Sequence, residues 1–299
     1  MRSLKLKAPA KINLFLEVTG KRPDGYHDLA TLFARISLAD ELTFRRTGKP
    51  GVSLRTAGVS GLLPSKPGDN IVYKAAMAFF EAFGIEPDVE IRLVKNVPVG
   101  AGLGGGSSDA AAALKGLCRL YGVDAGRNRG KLAAIALRLG SDVPFFLTDG
   151  AFSAGTGRGE VLTPVRTKGR LPCIVLVYPG APVHTGPVYR ALKPVPPSEK
   201  KSNLKKFNAL IKALKAGKAL KDWARLLFNR LEEPVLPVHA AVRQARQLLA
   251  EAGAPAVLMS GSGASVFALT ESRTGAVKIS KILKRPGYRV FLADFLLKS

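Results

Sequence analysis

The chain has 299 residues, 46% of them hydrophobic, with 46 Lys or Arg against 22 Asp or Glu and a formal charge of +24 at pH 7. That length buries a real core in one large or two modest domains, and no run reaches the ~18–20 uninterrupted apolar residues of a membrane span. The two cysteines, Cys118 and Cys173, exclude a disulfide framework or a zinc site and read as small buried hydrophobes; the charged start "MRSLKLKAPAKINLFLEV" lacks the apolar centre of a signal peptide, so a soluble cytoplasmic protein is expected.

In chain order, "AKINLFLEV" (residues 10–18) alternates. Ile12, Leu14, Leu16 and Val18 share one face; Lys11, Asn13, Phe15 and Glu17 share the other. This predicts a strand with one face in the core. Lys11 and Asn13 then point the same way, roughly 7 Å apart. "GKRPDGYHDL" is a loop turned by Pro23, Asp24 and Gly25. "TLFARISLADELTFRR" and "GVSLRTAG" read as further strands. "NIVYKAAMAFFEAFG" is a helix capped by Asn70 and stopped near Gly84, and "DVEIRLVKNVPVG" is an alternating strand running into a glycine-rich loop. "SSDAAAALKGLCRLYG" follows as a helix, with Ser107 or Ser108 as N-cap and Asp109 in the first turn.

A second helix covers "KLAAIALRLG" and leads to "SDVPFFL". "AFSAGTGRGEVLTPV" has the pattern of a hairpin, with a domain boundary close by. Beyond it lie a buried strand "CIVLVYP", a helix opening at "HTGPVYRAL", and three helical segments over roughly 203–252. The chain ends strand ("AVLM"), loop ("SGSGA"), strand ("SVFALT"), helix, strand ("YRVFLADFL"). The fold class is α+β: two layers, with mixed or antiparallel sheets packed against helices, in two domains, 1–155 and 156–299.

The positive charge concentrates in residues 193–230, where 11 Lys or Arg face Glu199 and Asp222. There "NLKKFNALIKALKAG" sets Leu204, Phe207, Leu210, Ile211 and Leu214 on one stripe, so the lysines form the solvated face of an amphipathic helix. No aromatic residues interleave with them to stack bases. Small anions, rather than nucleic acid or membrane, are the expected partners; oligomeric state leaves no trace in the sequence.

The stretch "VPVGAGLGGGSSDAAAAL" (residues 97–114) matches GxGxxG, with Asp124 downstream. A dinucleotide site fails on context: Pro98 separates the strand from the first glycine, and Asp124 ends a helix where a strand end is needed. No GK[ST] follows, which excludes a P-loop. What remains is a cradle in which bare amides and a helix N-terminus hold phosphate oxygens. Asp142, between a helix ending at Gly140 and the apolar "VPFFL", is either a cap for the next turn or a general base. Lys11, among apolar neighbours, either needs an anionic partner or lies on an edge strand in solvent.

"PVGAGLGGGSSDAAAAL" closely resembles the ATP-binding motif of the GHMP kinases, the superfamily of galactokinase, homoserine kinase and mevalonate kinase. "PAKINLFLEV" resembles their first motif and "LMSGSGASVFAL" their third, so the resemblance runs from residue 8 to about 270. It implies the two-domain GHMP kinase fold, with 1–155 as ATP-binding domain and 156–299 as substrate-side domain. It also implies ATP and Mg²⁺. Asp142 matches the catalytic aspartate, with Lys11 as its cation. Pro98, Val99, Gly100, Ala101, Gly102, Leu103, Gly104, Gly105, Gly106, Ser107 and Ser108 match the phosphate loop; Ser108 is a candidate Mg²⁺ ligand, most of that shell coming from phosphate and water. Asn70 and Lys95 match positions lining the nucleotide pocket.

"KRPDGYHDLATLF" and "LGSDVPFFL" resemble one branch of the superfamily, whose acceptor is a small molecule, a cytidine-diphosphate polyol. By that resemblance Tyr26 stacks on the cytosine, His27 reads its edge, Tyr189 covers its other face and Asn13 touches the reacting end. The alternatives are a mevalonate- or homoserine-type kinase, and, in another class, a basic RNA-binding protein. Gly261 and Gly263 would let the third motif approach the active centre. His184, His239 and Trp223 match no role and read as structural.

Overall fold

The computed structural model describes residues 3–58, 64 and 66–297. In chain order the elements are β1 (Leu4–Lys21), β2 (His27–Arg46), β3 (Gly51–Gly58), α1 (Ile71–Phe83), β4 (Asp88–Lys95), α2 (Gly105–Leu120), α3 (Arg129–Leu139), α4 (Val143–Leu147), β5 (Phe152–Thr156), β6 (Val161–Pro164) and β7 (Cys173–Tyr178). Then come α5 (Thr185–Arg190), α6 (Pro197–Lys215), α7 (Leu220–Trp223), β8 (Phe228–Asn229), α8 (Glu232–Val238), α9 (Ala240–Glu251), β9 (Ala256–Met259), β10 (Val266–Thr270), α10 (Arg273–Ile282) and β11 (Arg289–Ala293). The fold is α+β, and the expected strands and helices form with two differences: the expected loop over 20–29 shrinks to residues 22–26, with His27 already on β2, and α6 to α9 are four helices where three were expected. The chain divides into two compact units: Met1–Ala10, Leu38–Val99 and Gly104–Asp149 form one; Lys11–Ser37, Gly100–Leu103 and Gly150–Ser299 form the other.

In the first unit β3 runs parallel to β4, from Gly51 opposite Asp88 to Gly58 opposite Lys95. β4 pairs antiparallel with residues 41–46 of β2. α1 packs on α2, and α2 on α4. A Cβ at Gly116 of α2 would lie 2.4 Å from the Phe44 ring, so glycine is what lets this helix lie close against β2. α1 begins as the sequence indicates: Asn70 Oδ1 accepts the Val72 amide at 2.9 Å, and Gly84 closes the helix at φ +60°.

The second unit contains an antiparallel sheet in the order β11-β7-β10-β9, with α9 and α10 against it. The hairpin of β5 and β6 forms as expected, and β5 pairs with residues 31–34 of β2. β8 runs parallel to β1, Phe228 opposite Phe15 and Asn229 opposite Leu16. In α6, Phe207, Leu210 and Leu214 are buried, Leu204 and Ile211 half-buried, and the lysines line the outer side.

Two expectations are corrected. β1 is buried on both faces from Ala10 to Glu17, not on one. Its polar residues tolerate this because they are satisfied: Glu17 is met by Arg230 Nε at 3.0 Å and Asn203 Nδ2 at 2.6 Å. Cys118 is buried, but Cys173 is only half-buried because it opens β7 at the sheet margin.

Candidate active site

In the first unit the glycine loop ends as a bare helix start. The N-cap of α2 is Gly104 at φ +66°, which has no side chain to cap with, so the helix begins earlier than a Ser107 or Ser108 cap requires. The first-turn amides of Gly105, Gly106 and Ser107 therefore keep their donors at the positive end of the helix dipole. Ser108 is 1% exposed, and its Oγ has no hydrogen-bond partner among the described residues. Pro98 is buried and Val99 half-buried as the chain leaves β4.

Lys95 lies beneath this start. A Cβ on Gly105 would stand 3.3 Å from Lys95 Nζ. The buried ammonium is shared by Asp40 and by Asp109, the latter at 2.6 Å. Asp40 also accepts the amides of Asn96 and Val97 at 2.6 and 2.8 Å, fixing the exit of β4. Burial opposes the charge on Lys95, but Asp109 and Asp40 overcome it and hold the ammonium above the usual lysine range. Burial, with the neighbouring charge of Asp40, pushes the Asp109 carboxyl well above the usual carboxylate range although Lys95 opposes the shift. Asp40 has no signal in the sequence; Asp109, expected in the first turn of its helix, lies beyond that turn because α2 starts at Gly105. Asn70 is 5% exposed and spends its Oδ1 on the α1 cap. Asp142 stands at the N-cap of α4, and its side chain makes no capping hydrogen bond to that helix.

In the second unit Lys11 is 5% exposed. Its Nζ donates to Asn13 Oδ1 at 2.7 Å; Asn13 Nδ2 donates to Thr31 Oγ1 at 2.7 Å, and Thr31 to the Phe15 carbonyl at 2.8 Å. The chain thus sets the orientation of both residues. The Lys11 amide donates to the Leu103 carbonyl at 2.9 Å, tying β1 to the loop. Gly100 and Gly102 have φ of +66° and +72°. A Cβ on Gly102 would lie 2.1 Å from the Ser260 carbonyl, so only glycine fits. Ala101 accepts from the Ser265 amide at 3.1 Å. Gly261 lies close enough to Lys11 that a Cβ there would stand 3.2 Å from Nζ.

His27 and Tyr189 come together, ring centroids 5.1 Å apart at 30°. Burial and the charge of Lys21 pull His27 below the usual imidazole range, so it is neutral near pH 7. Tyr26, next to His27 in the chain, has half its surface exposed, with the Arg158 guanidinium 4.5 Å over its ring. Arg158, too, went unread; its signal was the "TGRGE" hairpin tip.

Residues 70–150 match the GHMP kinases N terminal domain, and residues 210–289 match the GHMP kinases C terminal domain. A 4-diphosphocytidyl-2-C-methyl-D-erythritol kinase of Geobacter sulfurreducens is 39% identical over 95% of this chain and 96% of its own. The kinase of the same name from Pelotomaculum thermopropionicum is 41% identical over 95% of both chains. The chain belongs to this kinase family, within the GHMP kinases. A crystal structure of 4-(cytidine 5'-diphospho)-2C-methyl-D-erythritol kinase, 36% identical over 98% of this chain and 99% of that one, superposes with a TM-score of 0.75. The chain is therefore an enzyme, a small-molecule kinase with ATP as donor. Among the described residues no helix is long and apolar enough to cross a membrane.

Proposed function

We propose that the protein transfers the γ-phosphate of ATP to the 2-hydroxyl of 4-diphosphocytidyl-2-C-methyl-D-erythritol, a step of isoprenoid precursor biosynthesis by the non-mevalonate pathway. The observation that carries the acceptor is the His27 ring against Tyr189, in one unit with Lys11 and Asn13. An aromatic shelf beside a neutral imidazole suits a nucleobase, which stacks by its face and is read at its edge. Mevalonate and homoserine offer nothing to stack.

An alcohol does not ionise at neutral pH, so the transfer needs a base at the hydroxyl and positive charge at the phosphoryl oxygens. Asp142 takes the hydroxyl proton as the oxygen attacks the γ-phosphorus. Lys11, oriented by the Asn13–Thr31 chain, stabilises the charge on the transferring group. The amides of Gly105, Gly106 and Ser107 hold phosphate oxygens, and Tyr26, His27 and Tyr189 hold the cytosine. Lys95 acts from below: its ammonium is committed to Asp40 and Asp109, so it sets the loop's shape through Gly105.

No group of three or more His, Cys, Asp or Glu side chains among the described residues forms a metal cluster. The unpartnered Oγ of buried Ser108 is one oxygen fitted to Mg²⁺ that arrives with ATP. When bound, Mg²⁺ supplies positive charge to the phosphates. The test is ADP release from ATP with a panel of acceptors. Turnover requires the cytidine-diphosphate polyol; equal turnover with mevalonate or homoserine would overturn the acceptor assignment.

A further inference from the structure

Gly261 packs against three groups at once. A Cβ there would stand 3.2 Å from Lys11 Nζ, 3.4 Å from Asn13 Oδ1 and 3.0 Å from the Gly102 carbonyl. Residues 259–263 are therefore the surface that limits where the Lys11 ammonium and the first half of the glycine loop stand. Gly261 and Gly263 take φ of +55° and +86°; within the turn the Gly263 amide donates to the Ser260 carbonyl at 2.9 Å, while the Met259 and Gly261 carbonyls accept from a side chain.

One side chain gathers them. Asn229 is 4% exposed; its Nδ2 donates to the carbonyls of Met259 and Gly261, both at 2.8 Å, and its Oδ1 accepts the Leu231 amide at 2.9 Å. The whole amide is used. Asn229 is also registered on the strand that carries Lys11, opposite Leu16, and the next amide, that of Arg230, donates to the Leu16 carbonyl at 2.8 Å. A second fastener, Ser260 Oγ to the Gly102 carbonyl at 3.0 Å, carries the same loop on to the glycine loop.

We infer that Asn229 is a positioning residue for phosphoryl transfer: its amide brackets the 259–263 turn to β1, and that turn holds the Lys11 ammonium in register with the Gly100–Leu103 segment. The inference rests on the proposed role of Lys11. An apolar residue would fill the volume, but only an amide supplies two donors and one acceptor in this geometry. A positioning error of about 1 Å at a transferring group is enough to cost roughly 100-fold in rate.

The test compares Asn229→Asp, Asn229→Ser and Asn229→Ala with the unsubstituted chain, measuring thermal midpoint, kcat, and KM for ATP and acceptor. Asn229→Asp keeps the acceptor for Leu231 but turns a carboxylate oxygen toward two carbonyls. The expected result is a fall in kcat of about 10- to 100-fold with a smaller change in acceptor KM, since the turn meets the Tyr189 helix through Ser262 and Thr185, 2.8 Å apart, and not through the Met259 and Gly261 carbonyls that Asn229 holds. The ratio of Asn229→Asp to unsubstituted kcat rises as pH falls, because a protonated carboxyl donates again. The Asn229→Ala ratio stays flat, and Asn229→Ser, which keeps one donor, lies between. Unchanged kcat per folded molecule in Asn229→Ser and Asn229→Ala, or equal pH profiles for Asn229→Asp and Asn229→Ala, would overturn the inference. Lys11→Met and Asp142→Asn separate the two readings. If they abolish turnover while the Asn229 variants keep it, the bracket alone is wrong; if they retain turnover, the Lys11 reading itself fails.

Discussion

Lys95 shares one ammonium between two buried carboxylates, Asp40 and Asp109, and that imbalance has a thermodynamic consequence. Asp109 holds its proton in the folded chain at pH values where an ordinary aspartate has lost it. A group whose folded pKa is raised contributes stability below its unfolded pKa and loses it as pH rises through the folded value. The protein therefore loses a stability contribution from the ordinary carboxylate range, near 3.8, upward. Asp109→Asn keeps the shape, leaves Lys95 paired one-to-one with Asp40, and removes that titration. Thermal midpoints measured from about pH 5 to 8 are expected to fall less steeply with pH in the variant. Equal slopes would mean that Asp109 carries no extra proton.

Among the elements, the glycine loop gains most from the distinction between conformational need and close approach. Gly122 and Gly102 both have positive φ, +69° and +72°. A Cβ on Gly122 meets nothing within 4 Å, whereas one on Gly102 meets the Ser260 carbonyl at 2.1 Å. Gly122→Ala is expected to cost about 1–2 kcal/mol, the left-handed backbone alone. Gly102→Ala should cost more and lower turnover, because the 259–263 turn must move. Denaturant unfolding and kcat of both variants check this; equal stability losses would contradict it. The same loop shows what a sequence discloses. The strand, loop and helix around residues 88–120 are legible from alternation and glycine density, as is the Asn70 cap. The true start of α2 is not, because serine is the better N-cap by propensity and Gly104 takes the place through its left-handed backbone. Likewise β1 alternates in sequence yet is buried on both faces, since alternation reports side-chain direction and not what covers the second face.

Over the whole molecule, long-range pairings were the unreadable part. Lys95 meets Asp40 across 55 positions and Arg230 meets Glu17 across 213, and no local spacing encodes either. The charge of +24 was legible at once, and it has a kinetic signature if ATP and acceptor are both anions. Raising NaCl from about 50 to about 300 mM shortens the screening length by roughly half. It should lower kcat/KM several-fold and leave kcat nearly constant, because the field acts on encounter. A flat kcat/KM would assign the surplus charge no part in substrate capture.

In the proposed mechanism one carboxylate takes the proton while bare amides and one ammonium hold the phosphoryl group. Asp142→Asn removes that base, with ADP release and ATP binding measured on the same preparation. Turnover is expected to fall about 10²- to 10⁴-fold with ATP binding intact. Turnover at the unsubstituted rate would contradict it.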